Sequence, residues 1–524
     1  MRTLQRLLTP SLADALFVAL FLCLSLALGH TLLEDGDTSF HIRAGEHMLD
    51  THSVLRHDIF SFHTPAIPWT THEWLAELLM GAVHRAAGLG GVVALYAGLI
   101  ALTLALLFGL QLLPRGNLAA ALIVIVVVTA MSILHWHARP HLFTFVFLVV
   151  FSSVLERHRE GAQRRLRLLP LLMVPWVNLH GGFVFGFILL GVHGLDAALL
   201  RVIQGAGASQ PNGRRFKQLL VTAGACLAAA LINPLGYRIL LFPLNLAADK
   251  YVLDHVGEMM SPNFHEQLWF AYFIVLLALL LGTARARLSA VEAMTLGGFL
   301  FMSLYSSRHI ALLALVSAPI LYRLIVSAPG ARVRAALEWS AARSAGALEI
   351  DRQARFHLWP IASLLLVGVL ATIGRVDYRF DPRQKPVDAV RFLLEERVEG
   401  RMFNNDEFGD YLIYAAWPRY QVFFDGRGDM YGAERMREYQ HVASIEPELD
   451  EVLTKYDISW VFFGSGSALS QYLLARDDWR LIYSDRVADI FVKEIELHQR
   501  LLRRYGDTAP YSEAAGSTPA QRDR

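Results

Sequence analysis

Residues 34–74 read EDGDTSFHIRAGEHMLDTHSVLRHDIFSFHTPAIPWTTHEW. A long apolar run, 12–33, precedes this stretch and another, 91–113, follows it. The stretch is therefore expected on one surface of a membrane. It holds two close acids (Asp35, Asp37), then His41, Arg43, Glu46 and Asp58, and ends in Thr70-Thr71-His72-Glu73-Trp74. A loop that merely joins two helices needs none of these groups. Their concentration points to the active-site loop of a membrane enzyme.

Composition supports that setting. Of 524 residues, 54% are hydrophobic and only 18% charged, with mean hydropathy +0.37. A soluble domain carries ~25% charged residues, so the chain reads as an integral membrane protein. A net charge of +1 gives no basic character that would suggest nucleic acid as a partner. Cys23 and Cys226 both fall in apolar runs, which leaves no disulfide framework and no cysteine metal site. Arg2 and Arg6 before the first run resemble a signal peptide. That run is long and lacks a small-residue cleavage site, so it predicts a retained first helix.

A helix needs ~20 apolar residues to cross a bilayer. Further runs lie near 118–135, 140–156, 166–178, 181–200, 217–233, 267–283, 290–305, 309–326 and 357–374. Counting the short run 166–178 gives eleven spans. With eleven, the basic segments fall on the cytoplasmic side: Arg2 and Arg6, Arg115, 156–168, 201–217, 284–289 and 327–356. The positive-inside rule therefore selects eleven, with a cytoplasmic N-terminus and the C-terminus outside. The opposite face collects the 34–90 loop, His135 to His141, Asn178 to Gly182, the 233–266 loop with Glu258, and Ser306 to His309. Polar groups beside a bilayer are costly and are kept where they line a cavity or serve function. Pro175 and Gly181-Gly182 break the chain between two spans. A turn at that depth must face protein or a water-filled cavity, with Asn178 and His180 on its floor.

Three domains are expected: a transmembrane domain over 1–375 with its outer loop 34–90, an extracytoplasmic domain over 376–500, and a disordered tail over 501–524. Within 376–500 the pattern predicts helices 387–398, 407–416, 430–444, 447–455 and 466–475. Strands are predicted at 401–404, 421–424, 458–463, 479–483 and 488–492. Strands alternating with helices predict a small α/β domain with a mainly parallel sheet.

Group transfer from a membrane lipid needs a carboxylate that takes a proton from the acceptor or holds a metal that does so. Asp37 and Asp35 are the catalytic candidates. Asp37 also suits the N-terminus of a helix over 38–49, and the two roles are compatible. His41, Arg43 and Glu46 on that helix are candidates to hold phosphate, against the alternative of a solvated interfacial face. His72-Glu73 places an imidazole beside a carboxylate, without the His-Glu-x-x-His pattern of zinc proteases. Trp69 and Trp74 fit interface anchors. His135, His137 and His141 have the ligand type for a metal, or simply terminate helices. Arg139 and Arg308 suit bidentate phosphate clamping, with His309 beside them. In the outer domain Asp406, Asp425 and Arg427 follow strands, where α/β domains place ligand loops, though such residues also build turns.

With these residues in view, the chain resembles the GT-C superfamily of polytopic glycosyltransferases, which use polyprenyl-phosphate-linked sugars. More narrowly it is similar to a bacterial group sharing Asp-x-x-x-His-x-x-x-Gly-Glu (Asp37 to Glu46), His-Glu-Trp (His72 to Trp74), Asn-Leu-His-Gly-Gly (Asn178 to Gly182) and a loop from Phe424 to Asp429. Asp406 to Tyr411 looks loosely like the Trp-Trp-Asp-Tyr-Gly acceptor region of oligosaccharyltransferases, without both tryptophans. Protein O-mannosyltransferases are loosely similar as well. The resemblance implies about eleven transmembrane helices in a bacterial inner or plasma membrane. It also implies inverting transfer of a sugar from a lipid-linked donor, with Asp37 first and Asp35 second as base. Arg139, Arg308 or a divalent metal ion would stabilise the leaving phosphate, and membrane lipid is a partner. The alternative is a transporter or flippase for a lipid-linked or polar substrate. Such proteins usually show repeats and midplane breaks in both halves, and this chain has one broken element and no repeat. A non-catalytic scaffold would leave the acid loop unexplained.

Overall fold

Each apolar run of the sequence becomes a helix. The computed structural model describes residues 9–203, 211–328, 330–354 and 357–512. Arg2, Arg6, Arg355 and residues 513–524 lie outside the described residues. The first half contains α1 (Leu12–Leu26), α2 (Asp37–Thr51), α3 (Trp74–Leu107), α4 (Leu118–Ser132), α5 (His141–Arg159), α6 (Leu168–Leu179), α7 (Val184–Ile203) and α8 (Pro211–Ala230). It continues with α9 (Arg238–Ala248), α10 (Lys250–His255), α11 (Leu268–Thr283), α12 (Ala290–Tyr305), α13 (Ile310–Val326), α14 (Ala331–Gln353) and α15 (Leu358–Thr372). Among the described residues, five helical stretches are long and apolar enough to cross a membrane, and five shorter apolar helices accompany them. The chain is an integral, multi-pass membrane protein.

Local chemistry sets several boundaries. Ser11 and Asp14 form a reciprocal cap at the start of α1, as Ser289 and Glu292 do for α12. Asn117 caps α4 through the Ala120 N–H. The outer loop is shorter than the expected 34–90, because α3 begins at Trp74. That helix runs on from Trp74 to Ala87 and Gly88, where the φ of +59° at Gly88 bends it. Helix α2 starts at Asp37 itself, with Gly36 as its cap. It is not a solvated face: Phe40, His41, Ile42, Ala44, Gly45 and Met48 are buried. At Gly45 a Cβ would sit 1.8 Å from the Glu77 carbonyl oxygen, so only glycine allows α2 and α3 to cross this closely.

The C-terminal part holds α16 (Val387–Glu396), β1 (Arg401–Asn404), α17 (Asp406–Ala416), α18 (Gly428–Ala443), α19 (Leu449–Lys455), β2 (Ile458–Gly464), α20 (Ala468–Leu474), β3 (Trp479–Ser484), β4 (Ala488–Lys493) and α21 (Gln499–Tyr505). The sheet order is β1-β2-β4-β3. Only β1 and β2 are parallel, whereas β2–β4 and β3–β4 are antiparallel. The expected mainly parallel sheet is corrected by the connection between β3 and β4, which is too short for a crossover. Asp485 closes it by accepting the Val487 and Ala488 N–H groups.

Residues 421–424 do not join the sheet either. Their backbone bonds run to the outer loop, with the Val422 N–H on the Phe60 carbonyl (3.0 Å) and the Phe62 N–H on the Val422 carbonyl (3.3 Å). Residues 501–505, expected in a disordered tail, belong to α21. Arg500 (2.8 Å), Arg504 (3.0 Å) and the Tyr505 hydroxyl (2.8 Å) hold it on Glu396.

Candidate active site

Five chain segments that the sequence places on one face do meet. The Ala138 N–H donates to the Leu32 carbonyl (2.8 Å) and Thr38 Oγ1 to the Ala138 carbonyl (3.2 Å), which fixes the 135–141 turn against the start of α2. Ser307 Oγ donates to the Glu258 carbonyl (3.0 Å), tying the 306–309 turn to the 233–266 loop. Asn233 reaches Asn178 (3.1 Å). The result is one polar end of the helix bundle.

At its centre Arg139 spans the two loop acids. Its guanidinium lies 3.2 Å from Asp35 Oδ2, 2.6 Å from Asp37 Oδ2 and 3.2 Å from Glu258 Oε2. Arg308 approaches the other Glu258 oxygen at 3.8 Å. Asp35 Oδ1 also accepts the Asp37 N–H (3.0 Å). Burial pushes Asp37 up to about 7, with Asp35 and Glu258 adding to it and Arg139 opposing. Burial also raises Asp35, yet the Arg139 charge and His137 hold it below its ordinary value. The two acids thus differ, Asp37 raised toward neutrality and Asp35 held below its ordinary value.

A second cluster surrounds Glu73. His180 Nε2 (3.3 Å) and His72 Nε2 (3.5 Å) face Oε1, and His41 Nε2 faces Oε2 (3.6 Å). The Gly182 N–H donates to His180 Nδ1 (2.8 Å), which places the His180 proton on Nε2, toward Glu73. The His41 Nδ1 side meets Glu77 (3.0 Å). Burial opposes charge on His72, but Glu73 beside it raises the imidazole to about 9. His72 stacks on Phe242 at 4.1 Å.

Beside this cluster an open apolar groove of about 500 Å³ is lined by Trp74, Leu75, Val174, Pro175, Asn178, Ile232, Asn233 and Pro234. The Trp74 indole donates to Asn178 Oδ1 (2.9 Å), and the Asn178 amide donates to the Val174 and Ile232 carbonyls. Asn178 therefore braces the groove where α6 ends.

Other residues singled out in the sequence lie elsewhere. Arg43 pairs with Glu46 (2.8 Å) and donates to the Tyr414 carbonyl, while Glu46 holds His84 (2.7 Å). These groups join α2 to α17. His309 turns its Nδ1 to the Met302 carbonyl (3.1 Å). His135, His137 and His141 each direct Nε2 to a backbone carbonyl, of Ser307, Leu134 and His135 respectively. Asp406 binds the Tyr439 hydroxyl (3.3 Å). Asp425 and Arg427 are 0% and 2% exposed and hold each other at 2.6 Å. Arg427 also meets Asp58 at 2.8 Å, and the rings of Trp69, Phe60 and Phe40 surround it. This assembly clamps the C-terminal domain to the outer loop.

Two site residues escaped the sequence reading. Glu258 was legible only as a loop acid. Asp410 sits one helical turn beyond Asp406, on the face of α17 turned to the first loop. Gly426 lies between it and Asp37: a Cβ there would be 2.2 Å from Asp37 Oδ1 and 3.0 Å from Asp410 Oδ2. A spacing of four residues on a helix was the available signal.

Comparisons with known proteins bear on the fold. No family model matches the chain, and no curated protein matches its sequence. Among solved structures it is similar to the apo oligosaccharyltransferase of Archaeoglobus fulgidus, with TM-score 0.54 and 13% identity over 92% of this chain and 74% of that one. It is also similar to ArnT from Cupriavidus metallidurans in the apo state, with TM-score 0.50 and 12% identity over 92% of this chain and 98% of that one. ArnT bound to undecaprenyl phosphate aligns with TM-score 0.47 and 12% identity, over 92% and 98% of the two chains. The fold is GT-C-like: a multi-pass helical membrane domain carrying a small C-terminal domain built around a sheet.

Proposed function

We propose that this chain is a membrane glycosyltransferase that moves a sugar from a polyprenyl-phosphate donor to an acceptor on the outer face of the membrane, with inversion. The observation that carries the proposal is the Asp35–Asp37–Arg139–Glu258 cluster beside an apolar groove. Asp37 is the base: at about 7 its carboxyl is matched to taking a proton near neutral pH. Arg139, with Arg308 behind it, offers a fixed positive field to the phosphate that leaves. The groove at Trp74 and Asn178 accepts the first isoprene units, so the donor arrives sideways from the bilayer. Glu73, paired with His72 and His180, directly precedes Trp74 at the groove. A divalent cation at Asp35 and Asp37 would need Arg139 to swing aside, because its guanidinium already meets both carboxylates. The archaeal oligosaccharyltransferase of like fold supports the reaction class.

The test is turnover of a radiolabelled polyprenyl-phosphate sugar panel by reconstituted protein, wild type against Asp37→Asn. Transfer or donor hydrolysis lost in the variant supports the proposal. Donor binding by wild type without turnover would replace it with a transporter or flippase.

A further inference from the structure

The base proposed at Asp37 has a partner from the far end of the chain. Asp410 is 1% exposed on α17, and its Oδ1 accepts the Gly426 N–H at 3.0 Å. Its Oδ2 faces the first outer loop. A Cβ at Gly36 would meet that oxygen at 2.7 Å, and one at Gly426 would meet it at 3.0 Å while standing 2.2 Å from Asp37 Oδ1. Glycine at both positions is what lets the two carboxyls close on one small volume. Asp37 has Arg139 on its other oxygen at 2.6 Å. Among the described residues no cation pairs with Asp410. The charges that act on it most strongly are negative: Asp37 from α2, Asp425 from the segment before α18, and Asp406 on its own helix. Arg139 is engaged by Asp35, Asp37 and Glu258. Two buried carboxyls this close do not both ionise, and the one without a cation keeps the proton.

We infer that Asp410 is the protonated member of a carboxyl pair with Asp37, turning its Oδ2 proton toward Asp37 Oδ1 and so positioning the ionised base. The inference rests on the proposed reading of Asp37 as base. Burial and the three neighbouring carboxylates push Asp410 well above its ordinary range, in keeping with this assignment. The pair holds one proton before transfer. As the acceptor's electron pair attacks the anomeric carbon and the bond to the phosphate oxygen breaks, Asp37 takes the acceptor's proton. The pair then holds two, and one returns to water when product leaves.

The first test needs no turnover. Infrared spectra of full-length protein in lipid nanodiscs at pH 9, above the Asp37 titration, should show the C=O stretch of a protonated carboxyl. That band should be lost in Asp410→Asn and kept in Asp35→Asn. An unchanged spectrum in Asp410→Asn overturns the inference. If the band behaves as expected while no donor in the panel turns over, the pair stands and the transferase reading falls. The second test is the pH dependence of donor hydrolysis. Asp410→Ala removes the donor and should lower the rate at pH 7 by roughly tenfold or more, with the acidic limb moved to higher pH. Asp410→Asn restores a neutral donor and should recover most of that loss. Asn as damaging as Ala would overturn the assignment.

Discussion

The carboxylate of Asp37 meets the guanidinium of Arg139 at 2.6 Å, and the same side chain reaches Asp35 at 3.2 Å. One planar fork therefore spans two acids and lowers the proton affinity of both, against the burial that raises it. Lysine offers a single point charge and cannot span them. Arg139→Lys should reduce donor turnover by roughly tenfold or more, and Arg139→Ala by about a hundredfold or more. Lysine at wild-type rate would remove Arg139 from the proposed chemistry.

The proposed base gives a pH signature. In that role Asp37 would work ionised, and burial raises its carboxyl to about 7. The rate should therefore rise with pH through about 7, flatten above it, and fall tenfold per unit below. Asp37→Asn should lose about a hundredfold or more in rate with donor affinity kept. Asp35→Asn, which removes the carboxylate that orients the Asp37 N–H and shares Arg139, should cost less. Rate profiles over pH 5–9 for the three proteins decide this.

The clamp at Arg427 is expected to act on stability. Arg427→Leu leaves Asp58 and Asp425 buried without their cation. Loss of one member of a buried pair costs about 3–5 kcal/mol. A lowered melting temperature and early protease cleavage between the helical domain and the C-terminal domain are the readouts.

Gly45 tests how the Glu73 cluster is positioned. The α2–α3 crossing brings the Glu77 carbonyl to 1.8 Å from a Cβ at this position. Gly45→Ala must push the helices apart, shifting His41 from Glu77 and Glu73. The cost should be about 1–3 kcal/mol, with a loss of turnover even where the protein stays folded. Gly98→Ala, whose Cβ meets its nearest side chain at 3.5 Å, is the control.

The groove makes a kinetic prediction. Ile232→Trp narrows the space beside Trp74 and Asn178 without touching the acids. KM for a long-chain donor should rise by about tenfold with kcat little changed, since only ground-state binding is lost.

Much of this was legible in the sequence because membrane helices follow from composition. Each apolar run became a helix, and the loops predicted to share a face do meet, some around Arg139 and others around Glu73. Asp35, Asp37 and Arg139 were readable from charge alone, being acids and a guanidinium where a bilayer protein should hold neither without cause. Asp406 and Asp410 were not separable in that way. Both lie on one short helix, and only the docking of α17 on α2 decides which of them faces Asp37. Asp425 and Arg427 looked like loop residues free for a ligand. Their burial depends on Asp58, hundreds of residues earlier. The sheet was misread because β3 and β4 look like any two strands until the short turn at Asp485 is given weight.

The backbone pairing of Phe60 and Phe62 with Val422 has a bearing on biosynthesis. Residues 60–62 emerge early in translation and Val422 late, yet they bond directly. The surroundings of Asp37 are therefore complete only after most of the polypeptide has been made. A nascent chain already threaded through the bilayer carries its acids and its arginine but not the wall bearing Asp410 and Gly426. The polar site is thus completed by the last part of the polypeptide to be made.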